Sequence, residues 1–130
     1  MILLDTHVVV WLVGDPKRLS PRAHEAILHA RVTGESIAFS PVSIFEIAYA
    51  ASRSRLPLTV ATNEFVAQVE EKLKLVPLTS EIARRAAELP GHFHGDPMDR
   101  IITATAIAEN CALITHDHRI RQAKVCNALW

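Results

Sequence analysis

The first thirteen residues, MILLDTHVVVWLV, place an aspartate inside a run that is otherwise strongly apolar. Such a run of Ile, Leu and Val is typical of a central strand in a parallel sheet, which is buried on both faces. An ionised carboxylate in these surroundings costs free energy unless hydrogen bonds or a cation compensate it. Asp5 therefore predicts a buried strand that ends at a functional polar site.

Short apolar segments alternate with helical segments along the rest of the chain. We predict strands at residues 2–4, 36–40, 76–78, 111–117 and 125–129. Helices are predicted at residues 8–13, 21–33, 43–54, 62–75, 80–89, 96–110 and 118–124, with Ser20 and Gly34 flanking the second and Ser80 capping the fifth. This alternation favours an α/β fold, in which a parallel sheet is covered by helices on both faces, within a single domain spanning residues 1–130.

Composition excludes several classes of protein. The chain has 14 basic and 14 acidic residues, so no net positive field attracts nucleic acid, and any such contact needs a local patch. Cys111 and Cys126 lack the spacing of a zinc or disulfide motif, and we expect both to be reduced packing residues. We also expect no signal peptide and no membrane helix, and therefore a cytoplasmic protein.

Acidic residues follow the predicted strands or begin the predicted helices. Because parallel strands end at the same edge of a sheet, we expect four or five carboxylates to converge there: Asp5, Glu46, Asp96, Asp99 and Asp117. Neighbouring carboxylates raise one another's pKa, and a hard divalent cation relieves this conflict. Clustered acids around Mg²⁺ or Mn²⁺ favour metal-dependent hydrolysis of phosphodiesters.

Each of these acids except Asp5 also has a simple structural explanation. Ser43 and Glu46 fit the spacing of a capping box, and Asp117 fits the cap of the last helix. Asp96 stands before a proline, and for this residue we favour the helix cap. Asp99 would then lie in the first turn, where its charge suits the helix dipole.

Four motifs, LLDTH, SPVSIFEIA, GDPMDRIITATA and LITHD, resemble in order and spacing the signature of PIN-domain ribonucleases, and more narrowly VapC-type toxins of toxin–antitoxin pairs. The resemblance implies three α/β/α layers around a parallel sheet of five strands. It also implies a Mg²⁺- or Mn²⁺-dependent endoribonuclease, a homodimer, and inhibition by a small antitoxin whose tail occupies the site.

The resemblance also assigns residues. The family's four acids correspond to Asp5, Glu46, Asp99 and Asp117, and Asp96 matches an additional acid of the DPxDR variant, in which Met98 replaces the usual Phe. The neighbouring hydroxyls Thr6, Ser43 and Thr115 are interpreted as groups that orient ligands or water, and Arg100 as a substrate contact or a salt link to an acid.

We expect Asp5 and Asp99 to be the principal metal ligands and Asp117 to bind directly or through water. Glu46 is the candidate that positions or deprotonates the attacking water. No residue stands out as the acid that protonates the leaving group, and we expect solvent to supply this proton.

Other features allow different interpretations. His116 and His118 flank Asp117, but alternating residues on a strand point to opposite sides, and the spacing offers no third ligand for zinc. Basic residues near helix ends are candidates either for RNA contact or for simple solvation: Arg53, Arg55, Arg119, Arg121 and Lys124. Trp11 and Trp130 are expected to pack in a core or an interface.

Two alternative functions stay open. An aspartate-nucleophile phosphatase would use Asp5 as nucleophile, but no second acid follows two residues later to act as general acid. A non-enzymatic interaction protein would use its acids only as helix caps.

Overall fold

The computed structural model describes residues 1–130, and its centre is a sheet of five parallel strands in the order β3-β2-β1-β4-β5. The strands are β1 (Ile2–Leu4), β2 (Ile37–Phe39), β3 (Lys74–Leu75), β4 (Ala112–Ile114) and β5 (Ala128–Leu129). In the central register, Leu3 lies between Ala38 of β2 and Leu113 of β4. The strand that carries Asp5 at its end is therefore the middle strand, as the apolar run predicted.

Seven helices flank the sheet: α1 (Thr6–Gly14), α2 (Pro21–Thr33), α3 (Pro41–Ser52), α4 (Thr62–Lys72), α5 (Ser80–Ala87), α6 (Pro97–Ala108) and α7 (His118–Ala123). A 3₁₀ turn at Pro16–Arg18 follows α1. The prediction of an α/β fold with helices covering a parallel sheet of about five strands is confirmed.

The alternation of side chains along β1 divides the core into two layers. Ile2 and Leu4 pack on one face of the sheet with residues of α1, α2, α3 and α4. Leu3 packs on the other face, where the core includes residues of α6 and α7. Because successive side chains of a strand point to opposite faces, a single three-residue strand contributes to both cores and fixes the three-layer arrangement.

Helix ends follow the capping signals of the sequence. The Ser20 hydroxyl accepts a hydrogen bond from the Ala23 amide at the start of α2, and Pro21 takes the first position. Gly34 ends the helix with φ = 73°, a left-handed conformation that suits residues without a Cβ. Both ends were predicted at these residues.

Two helix starts and one helix cap differ from the prediction. α1 begins at Thr6 rather than residue 8, because Asp5 caps it directly after β1. α3 begins at Pro41 with Ser40 as its cap, so the predicted start at residue 43 was two residues late. α5 is capped by Thr79 and not by Ser80.

The edge strand β3 also differs from its prediction, since it covers Lys74–Leu75 rather than residues 76–78. The Val76 amide still donates to the Phe39 carbonyl at 2.9 Å. Pro77 has no amide hydrogen, so it cannot continue the ladder beyond that bond.

Two further expectations concern the chain as a whole. None of the helices has the length and apolar character needed to cross a membrane. Cys111 and Cys126 are both free thiols that pack against the core formed by α6 and α7, as expected for reduced packing residues.

Candidate active site

Asp5 directly follows β1 at the carboxyl edge of the sheet, and its side chain is only 4% exposed. One carboxylate oxygen accepts from the Thr6 amide at 2.7 Å, and the other accepts from the Thr115 hydroxyl at 2.6 Å. No cation lies within 4.0 Å, and burial raises the pKa of Asp5 above its ordinary value in spite of these two bonds. Hydrogen bonds therefore compensate this carboxylate only in part.

Glu46 projects from the second turn of α3 and accepts a hydrogen bond from the Thr6 hydroxyl. Ser43 Oγ lies 3.0 Å from the same Thr6 oxygen, within hydrogen-bond distance. Because Ser40 caps α3, the capping box considered for Ser43 and Glu46 is not formed. The prediction that Glu46 lies in the first turn was therefore wrong, and its side chain is free for another role.

Burial raises the pKa of Glu46, and the charges of Asp5, Asp99 and Asp96 raise it further against the opposing bond from Thr6. Such coupling requires that the carboxylates lie near one another. Glu46 thus holds its proton more tightly than an exposed glutamate does.

Asp99 lies in the first turn of α6, where its Oδ2 atom is 2.6 Å from Nε2 of His94. Both side chains are largely buried, with 16% and 17% of their surfaces exposed. Burial raises the pKa of Asp99, the hydrogen bond from His94 lowers it, and the nearby charge of Asp5 raises it again. The imidazole is the group that holds this carboxylate in place.

Asp117 follows β4 and caps α7 by accepting from the Arg119 amide at 2.8 Å. Its other oxygen pairs with the Arg119 guanidinium at 2.9 Å, and the same guanidinium nitrogen lies 3.6 Å from Asp99. Burial opposes ionisation, but the hydrogen bonds and charge of Arg119 lower the pKa of Asp117 below its ordinary value. The cap considered for Asp117 is present, and the carboxylate also faces the other acids.

These acids line one cavity of about 420 Å³ at the carboxyl edge of the sheet, which we call the acid pocket. Ten residues form its walls and none of them is apolar: Asp5, Thr6, His7, Glu46, Asp96, Asp99, His116, Asp117, His118 and Arg119. All five acids that the sequence singled out therefore share one cavity, as a parallel sheet required.

The family model for the PIN domain matches residues 2–125 of this chain. The chain belongs to the PIN-domain family. It is also 39% identical to Ribonuclease VapC22 of Mycobacterium tuberculosis over 120 residues, which is 92% of this chain and 89% of that protein.

Solved structures of low sequence identity have the same fold as this PIN domain. DNA-bound VapBC from Salmonella typhimurium superposes with a TM-score of 0.71 at 15% identity, covering 98% of this chain and 96% of that one. VapBC2 from Rickettsia felis, bound to a promoter DNA fragment, gives 0.70 at 18% identity, with 99% and 98% coverage. A toxin–antitoxin complex from Klebsiella pneumoniae gives a TM-score of 0.68 at 18% sequence identity, covering 100% of this chain and 97% of that one.

Residues behind the acid pocket of this PIN domain hold the acids in place. The Thr115 hydroxyl donates to Asp5, and Ser43 supports Thr6; neither Thr115 nor Ser43 lines the cavity. Asp96 lines it, but its Oδ1 atom accepts from the amides of Met98 and Asp99, both at 3.0 Å. The helix cap favoured for Asp96 is therefore present.

Arg100 forms no salt link to an acid and does not line the acid pocket, so its contact with substrate stays a prediction. Instead it donates to the carbonyls of Ala86, His94 and Phe93 at 2.9, 3.2 and 3.5 Å. It thereby fixes the segment that carries His94 against α5 and α6.

Two site residues escaped the sequence interpretation in part. The sequence did not single out His94, and Arg119 was considered only as one of several basic residues. The HFHGDP stretch places His94 before a helix that an Asp-Pro pair begins, but no local pattern indicates that the chain turns back far enough for His94 to contact Asp99.

Three potential metal-donor atoms lie close together at the acid pocket, and Asp5 supplies none of them. His94 Nε2 and one oxygen each of Asp99 and Asp117 all lie within 4.8 Å of one another. An octahedral ion with bonds of about 2.1 Å places neighbouring ligand atoms about 3 Å apart and opposite ones about 4.2 Å apart, so side-chain movements that shorten these distances would bring the three atoms around one ion. The two carboxylates suit Mg²⁺ or Mn²⁺, whereas the imidazole is a less usual ligand for these ions.

Proposed function

We propose that this PIN domain is a metal-dependent endoribonuclease of the VapC type and the toxin component of a toxin–antitoxin pair, acting as a single domain. The observation that carries the proposal is the convergence of Asp5, Glu46, Asp99 and Asp117 on one polar cavity around a buried acid with no cationic partner. The similarity to a protein named as a ribonuclease supports the choice of RNA as substrate.

In this proposal Asp5, Asp99 and Asp117 hold the ion, and His94 is an additional ligand that the sequence did not indicate. Mg²⁺ or Mn²⁺, when bound, lowers the pKa of water and stabilises negative charge on the phosphate oxygens. The Thr115 hydroxyl and the Thr6 amide keep Asp5 pointing into the cavity. Ligands held in this way lose little freedom when the ion binds.

Glu46 is proposed as the base. Its raised pKa makes it a better proton acceptor than an exposed glutamate, and Thr6 occupies only one of its oxygens. One water proton passes to Glu46 while the water oxygen forms a bond to phosphorus. The bond from phosphorus to the leaving ribose oxygen breaks, and solvent protonates that oxygen.

The proposed partners are RNA, a small antitoxin and a second copy of the chain. Structural neighbours that come from toxin–antitoxin complexes support the antitoxin. Phe45 and Tyr49 stack on the outside of α3, 56% and 46% exposed, and offer an apolar surface for a protein partner. Because its substrate would be cellular RNA, we place the protein in the cytoplasm.

The alternative in which the acids are only helix caps is tested by the same reaction. Asp5, Asp96 and Asp117 do cap α1, α6 and α7, but capping does not require that their carboxylates meet in one cavity. Purified protein is incubated with total cellular RNA, with Mn²⁺ or with chelator, beside the Asp99→Asn variant. We expect cleavage only by the wild type with metal. Equal cleavage by both proteins, or no cleavage with any divalent metal, contradicts the proposal.

A further inference from the structure

A second cavity opens from the acid pocket and contains two arginines without acidic partners. It has a volume of about 450 Å³, lies between α1, α3 and the segment that follows α3, and shares Thr6, His7 and Glu46 with the acid pocket. Arg18 and Arg55 stand on its walls. We call this cavity the arginine groove.

The two arginines are available to a ligand. Both are exposed, neither lies within 4.0 Å of a carboxylate, and neither guanidinium donates a hydrogen bond within the protein. The Arg18 guanidinium lies 4.7 Å from the centre of the Trp11 ring, a cation–π contact that holds it beside the groove. Two free positive charges thus lie next to a cavity crowded with carboxylates.

The other basic residues considered in the sequence have different surroundings. Arg53 stacks over Tyr49 at 5.1 Å, away from the groove, and Arg119 is paired with Asp117. Arg121 donates to the His116 carbonyl. Among that group Arg55 alone lines the arginine groove, and Arg18, which the sequence did not single out, joins it.

We propose that the arginine groove binds the single-stranded RNA next to the cleaved bond, with Arg18 and Arg55 contacting backbone phosphates. The groove also has apolar surface from the half-buried Val10 and Leu56, which suits the face of a base. Proteins that hold single strands without reading sequence combine a positively charged groove with aromatic side chains, and Trp11 lines this groove.

Charge explains why RNA is the occupant that this groove favours. The acid pocket is strongly negative and the chain carries no net charge, so an approaching phosphate needs local attraction. Continuity with the acid pocket brings a strand held by Arg18 and Arg55 directly to Glu46. This inference rests on the ribonuclease function proposed above.

The test measures binding of a short fluorescein-labelled single-stranded RNA by anisotropy, with Mg²⁺ and in the Asp99→Asn background so that the probe stays intact. One double variant, the groove pair, combines Arg18→Ala with Arg55→Ala. The other, the control pair, combines Arg22→Ala with Arg31→Ala. The control pair removes the same charge from exposed arginines of α2 that line neither cavity.

For a single strand, removing one arginine that neutralises a phosphate reduces the slope of log K against log salt by about 0.7, so the groove pair should reduce it by about 1.4. At about 0.1 M salt this corresponds to roughly 25-fold weaker binding. The control pair should change neither quantity by more than the nonspecific effect of charge. Arg18→Lys, which keeps the charge, should retain most of the binding and exclude a folding defect as the cause.

Equal weakening by both pairs, or an unchanged salt slope, overturns the proposal. It is also overturned if the groove pair keeps its RNA affinity but no longer binds a purified VapB-type antitoxin, because the groove is then a protein docking site. Cleavage assays in the wild-type background separate the two proposals. If cleavage depends on metal but the Arg18→Ala and Arg55→Ala double variant has the same KM as the wild type, only the RNA-binding role of the groove is rejected. If the wild type never cleaves RNA, the proposed ribonuclease function is rejected.

Discussion

Asp5 and Asp117 each come after one of two neighbouring strands but have opposite electrostatic surroundings. Asp5 follows β1, Asp117 follows β4, and each caps the helix that comes next. Neutral donors hold Asp5 and burial raises its pKa, whereas Arg119 pairs with Asp117 and lowers its pKa against the effect of burial. Identical backbone roles thus leave one carboxylate in need of a cation and the other already neutralised.

The largest expected effect is on metal-dependent stability. Mn²⁺ at about 100 times its dissociation constant should stabilise the wild type by about 2.7 kcal/mol. Asp5→Asn should abolish this gain and Asp117→Asn should keep part of it, because Arg119 already offsets the charge of Asp117. Differential scanning calorimetry with Mn²⁺ and with chelator measures both. If both variants lose the same amount of Mn²⁺-dependent stabilisation, Asp5 and Asp117 do not differ in their need for a cation.

The Thr115 hydroxyl should matter because it orients Asp5. Thr115→Val is expected to weaken Mn²⁺ binding by about 10- to 100-fold, the usual effect of removing a group that holds a metal ligand. Thr105→Val is the matched control, because this buried hydroxyl donates to the Ile101 carbonyl within α6. Titration calorimetry gives the affinities, and a Thr115→Val protein that binds Mn²⁺ as well as the control does would refute the role.

Without metal, the pH dependence of the free energy of unfolding should follow from the acids whose pKa is raised in the folded state. A carboxyl whose pKa is higher in the folded state keeps its proton longer there, so ionisation favours unfolding. Stability should therefore fall as pH rises above the ordinary values of 3.8 for Asp5 and Asp99 and 4.5 for Glu46. Asp117 contributes the opposite trend at lower pH, because its pKa is lowered.

Asp5→Asn removes one of these buried charges, so in chelator at neutral pH it should melt above the wild type. Each kcal/mol of relieved desolvation cost raises the melting temperature by about 3 to 5 °C in a domain of this size. Thermal unfolding followed by circular dichroism at acidic and neutral pH measures the shift. A variant that melts lower than the wild type at neutral pH contradicts the interpretation of Asp5 as an uncompensated charge.

Arg119 should compete weakly with the metal. Arg119→Ala is expected to tighten Mn²⁺ binding by roughly threefold at low salt, the scale of an exposed ion pair, and less at high salt. Arg22→Ala removes a distant exposed charge and serves as the control. Weaker Mn²⁺ binding in Arg119→Ala would instead mean that this guanidinium positions Asp117 for the ion.

Asp96 should show the smallest effect on the metal. Asn caps a helix about as well as Asp, so Asp96→Asn should change both stability and Mn²⁺ affinity little, whereas Asp96→Ala should cost about 1 kcal/mol of stability. Chemical denaturation and Mn²⁺ titration separate the two roles. A large drop in Mn²⁺ affinity in Asp96→Asn would identify this carboxylate as a ligand.

The sequence predicted best where local chemistry decides. The Asp-Pro pair at Asp96 and the Ser20 and Gly34 signals set helix ends in the way that capping requires. The continuous apolar run identified β1 as the central strand. These features depend on neighbours within a few residues, which the sequence displays directly.

The prediction failed where contacts through space decide. His94 contacts Asp99 in a segment that Arg100 holds through the carbonyls of Ala86, Phe93 and His94. The opposite surroundings of Asp5 and Asp117 likewise depend on which side chains the fold brings near. The position of Glu46 was misjudged for a local reason, because the helix was started at Ser43 although Ser40 and Pro41 repeat the capping signal of Ser20 and Pro21.

Asp5 and Thr6 are adjacent in the chain, so a single peptide unit links the proposed metal ligand to the residue that holds the proposed base. Asp5 is the proposed metal ligand, and the hydroxyl of Thr6 holds the proposed base, Glu46. A single residue inserted between them would rotate one group away from its partner, although the strand and the helix could each still form. The junction between β1 and α1 should thus be among the places in this fold least tolerant of a change in chain length.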